Sequence, residues 1–170
     1  MTIRKAAPGD LSRIMNIYHA AQEFMIRSGN PDQWAHIYPT EALVREDIQR
    51  GICHVVCDGE TIHGVFALMS GDEPTYQYIE GGTWLNDAPY LTVHRVASDG
   101  TAHGIFSRVA DYCKGLSDDV RIDTHHKNLP MQRQIEKNGF VRCGTIYVED
   151  GSPRIAYHWT SSNIKGVNIV

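Results

Sequence analysis

The sequence lacks any long apolar run. Its longest unbroken stretch, Val65 to Met69, falls far short of the ~20 residues a membrane-spanning helix needs. No basic run exceeds Arg4-Lys5, and the net charge is −4 with a pI near 6.1. Binding to nucleic acid through phosphate neutralisation is therefore not expected. The four cysteines, Cys53, Cys57, Cys113 and Cys143, include no CxxC pair, and the nine histidines form no HExxH or HxH pattern. Cys53, His54 and Cys57 admit half a zinc site, but the alternation around them reads as a strand with reduced, buried thiols, and no metal is expected. The opening residues Met1 to Pro8 lack the apolar core of a secretory signal, and Thr2 excludes N-myristoylation. The expectation is a soluble, cytoplasmic protein with no membrane partner.

What is present is an ordinary globular composition, 42% hydrophobic and 21% charged, on a chain of single-domain length at 170 residues. Thr2 to Ala6 reads as a short strand, and Asp10 is placed to cap a helix. Leu11, Ile14, Ile17, Tyr18, Ala21 and Met25 mark one apolar face of that helix, which Gly29-Asn30-Pro31 stops. Thr40 caps a second helix that ends at Gly51. Cys53 to Cys57 and Thr61 to Met69 flank Asp58-Gly59 as a hairpin. Gly71 to Pro89 is irregular and rich in aromatics: Asp72-Glu73-Pro74 would cap a short helix ending at Gly81-Gly82, within a loop that covers something.

Tyr90 to Ala97 is a strand, followed by a turn and a helix bearing Ile105, Phe106, Val109, Ala110 and Cys113 on one face. Val120 to Thr124 is the next strand, Asn128 caps the last helix, and Asn138-Gly139 ends it. Arg142 to Glu149 and Arg154 to Trp159 complete the order β-α-α-β-β-β-α-β-α-β-β, an α/β class with mixed strand directions. The strand-to-helix turn, Thr101-Ala102-His103-Gly104-Ile105, has the makings of an anion site, because first-turn N–H groups and the helix dipole point outward there.

That turn, the next strand, and the run Asn128-Leu-Pro-Met131 through Glu136-Lys137-Asn-Gly139-Phe140 resemble the GNAT N-acetyltransferase superfamily. The opening Ile3-Arg4-Lys5-Ala6 with Asp10 is similar to the usual start of that family, and the order of elements agrees over residues 1–160. The resemblance implies a mixed central sheet with splayed parallel strands flanked by helices, a domain over 1–160 and a tail over 161–170. It implies acetyl-CoA as cofactor. Arg95, Val96 and Ala97 would present backbone to the pantetheine arm, the amides of His103, Gly104, Ile105, Phe106 and Ser107 would hold the pyrophosphate, and Asn128 would bond the arm near the thioester. Thr101 and Ala102 open the same loop.

The loop departs from the family pattern Arg/Gln-x-x-Gly-x-Gly/Ala, keeping only Gly104, with Thr101 at the first position and Phe106 at the last. If the pyrophosphate sits there, Phe106 turns inward; the alternative is that Phe106 plugs the site. Ile135 stands where many members carry the tyrosine acid, which leaves Tyr147 as candidate acid or as a half-buried strand residue. His94, Asp123 and His125 are candidate bases, or structural hydrogen-bonding groups. Trp34, Tyr38 and Trp84 would line the pocket of a small amine, or staple their loops to the core. The implied activity is direct acetyl transfer to that amine; the alternatives are a non-catalytic acyl-CoA or metabolite sensor and a structural protein with a vestigial site. Family members often form dimers, and Ile164, Val167, Ile169 and Val170 offer a homodimer contact, though a frayed tail fits them equally.

Overall fold

The computed structural model describes residues 1–162, so the tail and its dimer contact at 163–170 lie outside the described residues. The elements follow the expected order: β1 (Thr2–Lys5), α1 (Leu11–Arg27), α2 (Glu41–Gln49), β2 (Cys53–Asp58), β3 (Thr61–Ser70), β4 (Leu91–Ser98), α3 (Ile105–Lys114), β5 (Asp119–Thr124), α4 (Leu129–Lys137), β6 (Val141–Tyr147) and β7 (Pro153–Thr160). The strands form one mixed seven-stranded sheet in the order β1-β2-β3-β4-β5-β7-β6, with flanking helices. Among the described residues no helix is long and apolar enough to cross a membrane.

The backbone packs as two compact units, the first comprising Met1–Met69 and Val93–Val109, the second Ser70–Thr92 and the chain from Ala110 on. In the first, β1 and β3 both pair antiparallel with β2. The apolar face of α1 buries Ile14, Ile17, Tyr18, Ala21 and Met25 with Val44 and Ile48 of α2 and with Val55 and Val65 of the hairpin. Period 3.6 on the helices and period 2 on the strands put these residues inside. Asp10 does not cap α1 with its side chain. Its carboxylate reaches back to the Ala7 N–H (2.8 Å) and the Arg4 guanidinium (2.7 and 3.1 Å), which fixes the 3-10 turn Pro8–Asp10 ahead of the helix.

In the second unit β7 pairs antiparallel with β5 on one side and β6 on the other. Tyr76, Ile146 and Ala156 are buried, with Ile79, Trp84 and Tyr90 against them. The helix expected before Gly81-Gly82 shrinks to a 3-10 turn, Pro74–Tyr76, capped by Glu73. Beyond it Glu80 bridges Thr145 of β6 through two 2.8 Å backbone bonds, so the segment completes the sheet edge rather than coiling.

All four cysteines are free and buried. Burial pushes the Cys53 and Cys113 thiols up to about 12 and raises Cys57 and Cys143 as well. A protonated thiol is a poor nucleophile, so covalent transfer through cysteine has no support in this structure. Among the described residues no three His, Cys, Asp or Glu side chains gather as metal ligands.

Candidate active site

The most constrained point of the first unit lies inside β4. Arg95 has φ +54°, a left-handed conformation that costs an L residue about 1–3 kcal/mol and persists only when its surroundings over-determine it. They do. The Tyr18 hydroxyl of α1 donates to the Arg95 carbonyl (3.0 Å). The Arg95 guanidinium donates through Nε and Nη2 to the two oxygens of Asp47 on α2 (2.9 and 3.0 Å) and through Nη1 to the Tyr38 hydroxyl (3.1 Å). Burial opposes the Arg95 charge, but Tyr38 and Asp47 outweigh it and hold the guanidinium protonated. Burial likewise raises the Tyr18 phenol, which stays neutral and donates. A left-handed residue within a strand departs from the extended geometry of its neighbours and turns the peptide planes beside it.

Trp34 and Tyr38 are held by the same cluster. Trp34 is 8% exposed, edge-on to Tyr18 (centroids 5.8 Å apart) and tilted against Tyr38 (6.1 Å), while Gln22 donates to the Tyr38 carbonyl (2.7 Å). For Trp34, loop stapling describes the geometry better than recognition. Tyr38 and its neighbour Ile37 remain exposed. His94 lies half-buried on β4.

The turn after β4 is tied from within. The Thr101 N–H (2.9 Å) and hydroxyl (2.6 Å) both donate to Asp99, so the His63 Nδ1–H donates to the Thr101 oxygen (2.8 Å). Arg13 pairs with Asp99 and donates to the Ile62 carbonyl (3.0 and 2.7 Å). Burial raises the Asp99 carboxyl, but Thr101 and Arg13 prevail and hold it below the usual range. Thr101 is thus committed inside the turn. Gly104 has φ +73°, and an added Cβ there would meet nothing within 4 Å. Phe106 is 7% exposed, while His103 and Gly104 face solvent. The residues that lead into α3 are thus exposed, and the first two of the helix are buried.

In the second unit the expected bases are already bonded. Tyr76 donates to Asp123 (2.7 Å), and burial followed by the Asp123 charge raises that phenol. His125 is buried, its Nδ1 accepts from the Lys127 N–H (3.2 Å), and its ring stacks on His126 at 4.4 Å. Asn128 is buried and accepts from the Met131 N–H (3.3 Å), capping α4 as its sequence position implied. Tyr147 sits at the end of β6, which β7 separates from β5. Its hydroxyl bonds Glu80 and its ring stacks on Tyr78 at 6.3 Å; the Glu80 bond raises its pKa and makes it a weaker acid.

Trp84 belongs to a network that sequence reasoning missed. The Arg121 guanidinium lies 4.2 Å from the Trp84 ring centre and 3.8 Å from that of Tyr90. The Trp84 indole donates to the Tyr76 carbonyl (2.9 Å), and Arg121 donates to that of Asn86 (2.8 Å). Beneath them His158, fully buried, accepts the Leu85 N–H at Nδ1 (3.2 Å), so its Nε2–H donates to Asp119 (3.0 Å). Packing describes Trp84 better than substrate recognition. The clue available in the sequence was Asp119, Arg121 and His158 on strand positions that ordinarily hold apolar residues.

Burial, then the Arg121 charge, lowers the His158 pKa, and burial also lowers that of His54. The unfolded chain therefore binds more protons below the ordinary histidine value of about 6.5, and stability falls as pH drops from there towards the folded-state values. Thermal midpoints are expected to decline from pH 7 to pH 5. His158→Gln should be less stable at pH 7 and show a shallower decline, and an equally steep decline would remove His158 from this account.

No family model and no curated protein matches the sequence. Solved structures do. A GNAT-family acetyltransferase from Streptococcus agalactiae 2603 is 29% identical, with 94% of this chain and 95% of that chain covered and a TM-score of 0.82. A GNAT-family acetyltransferase from Listeria monocytogenes 4b F2365 is 17% identical, with 94% of each chain covered and a TM-score of 0.66. An aminoglycoside acetyltransferase, crystallised with coenzyme A and kanamycin, is 18% identical, with 98% of each chain covered and a TM-score of 0.65. Strand order, helix placement and near-full-length similarity agree, and the chain belongs to the GNAT superfamily.

Proposed function

We propose that the protein is an acetyl-CoA-dependent N-acetyltransferase acting on a small amine by direct attack. The observation that carries this reading is the left-handed Arg95 in β4, followed by a turn that opens at Gly104 with Phe106 folded inward. A neighbour of the same fold holds coenzyme A and kanamycin together, which supports the cofactor and a small-molecule acceptor. When bound, acetyl-CoA supplies the thioester carbonyl. The Val96 N–H would donate to the oxyanion, an interaction that strengthens as charge develops on that oxygen. The amides of Ile105, Phe106 and Ser107, at the positive end of the α3 dipole, would hold the pyrophosphate, with His103 beside them. Ala97 continues the backbone edge for the pantetheine arm, and Asn128 would bond that arm.

An amine of pKa near 10.4 is mostly protonated at neutral pH, so a base is required. His94, half-buried on β4 and next to the left-handed Arg95, is the favoured candidate, with Asp123 and His125 as the others. Tyr147 would act as acid only on leaving Glu80. Acetyl-CoA at about 100 times its Kd should raise the thermal midpoint by roughly 5–10 °C. No shift at millimolar acetyl-CoA would end this reading. The commitment of Thr101 to Asp99 favours one rival, a non-catalytic acyl-CoA or metabolite sensor. Acceptor-dependent release of CoA thiol over a panel of amines supports the enzyme, and saturable binding without release supports the sensor.

A further inference from the structure

We infer that Asp47 and Tyr18 are positioning residues: together they hold the left-handed conformation of Arg95 that aims the Val96 N–H at the reacting carbonyl. The inference rests on the acetyl-CoA reading above and deepens it. Two helices converge on one strand residue. Tyr18 comes from α1 and Asp47 from α2, and between them they engage the carbonyl and two of the guanidinium nitrogens of Arg95, while Tyr38 takes the third.

A left-handed residue in a turn is ordinarily glycine or asparagine, and no turn exists here. Among the described residues only Ala35 and Arg95 hold positive φ without being glycine, and Arg95 alone does so inside a strand. Extended backbone was available to Arg95 at no conformational cost. Stability alone does not call for such an arrangement, because a buried ion pair is often no more stabilising than apolar side chains of the same volume. Tyr18 shows what is being held. Its hydroxyl bonds the carbonyl of the very peptide whose nitrogen belongs to Val96, so it fixes that peptide plane directly. Asp47 fixes the side chain, which removes the rotation that would let the strand relax to regular geometry.

The test compares two double variants that lose the same ion pair, Arg95→Gly with Asp47→Asn and Arg95→Ala with Asp47→Asn. They differ in whether residue 95 reaches positive φ without strain. Acetyl-CoA affinity is read by calorimetry and the Val96 amide shift by NMR. The glycine pair should bind roughly tenfold more tightly than the alanine pair, and its Val96 shift should be the less displaced of the two. Equal affinity in the two pairs would overturn the inference and leave the ion pair a purely structural contact. If the alanine pair fails to fold, Tyr18→Phe supplies the reading, since it removes only the bond to the Arg95 carbonyl. Weaker binding by a variant that is still folded at the assay temperature supports the inference, and unchanged affinity overturns it. Should the parent protein bind no acetyl-CoA, the functional reading falls, and the Val96 shift alone then decides whether the lock exists.

Discussion

Gly82→Ala is expected to lower the thermal midpoint by roughly 10 °C, about 3 kcal/mol or more. An added Cβ would lie 1.9 Å from the Cys143 carbonyl oxygen, 3.0 Å from its carbonyl carbon and 3.5 Å from the Gly144 Cα. Those atoms are backbone on β6, so no side-chain rotation relieves the clash. The 79–82 segment would have to move, and its two 2.8 Å bonds between Glu80 and Thr145 move with it. Gly144 closes the approach from the other side, where a Cβ would stand 2.7 Å from the Glu80 carbonyl. Gly9→Ala serves as the control, because a Cβ there meets nothing within 4 Å. Thermal scans of the two variants side by side give the comparison. Equal midpoints would show that 79–82 does not lie against β6 as described.

Phe106→Ala should destabilise by about 3–5 kcal/mol, as large core truncations do. The ring is 7% exposed on a helix whose face also buries Ile105, Val109, Ala110 and Cys113. Deleting it removes apolar contacts and leaves a cavity, while the first-turn amides of α3 stay where they are. CoA affinity should therefore not increase. Urea unfolding and CoA titration together separate two cases. A variant of parental stability that binds CoA more tightly would mean that Phe106 plugs the phosphate site, and it would favour the sensor.

The order of elements was legible because its signals are local. The apolar spacing of α1, the Thr40 cap, the Asp58-Gly59 turn and the Asn128-to-Gly139 frame each depend on a few adjacent residues. The covering segment is less legible: Gly71 to Pro89 has no period, and its shape follows from what it packs on, namely Arg121, His158 and the edge of β6. The left-handed conformation of Arg95 has no local signal in the sequence, since the usual glycine is absent and the anchors stand 77 and 48 positions away. Asp47 follows Arg45 and Glu46 in the charged run of α2, yet it is almost wholly buried. Long-range partners decide such positions, and a linear pattern of hydropathy does not encode them.

The state of the cysteines has a practical side. Cys53, Cys57, Cys113 and Cys143 are buried, and burial keeps each as the thiol at neutral pH. Disulfide-exchange reagents attack thiolates that they can reach, and the folded protein offers none. A chromogenic disulfide added to the native protein should therefore register the CoA thiol as it appears, against a quiet protein background. The same reagent would become a folding sensor near the unfolding transition, where four new thiols would enter the signal together.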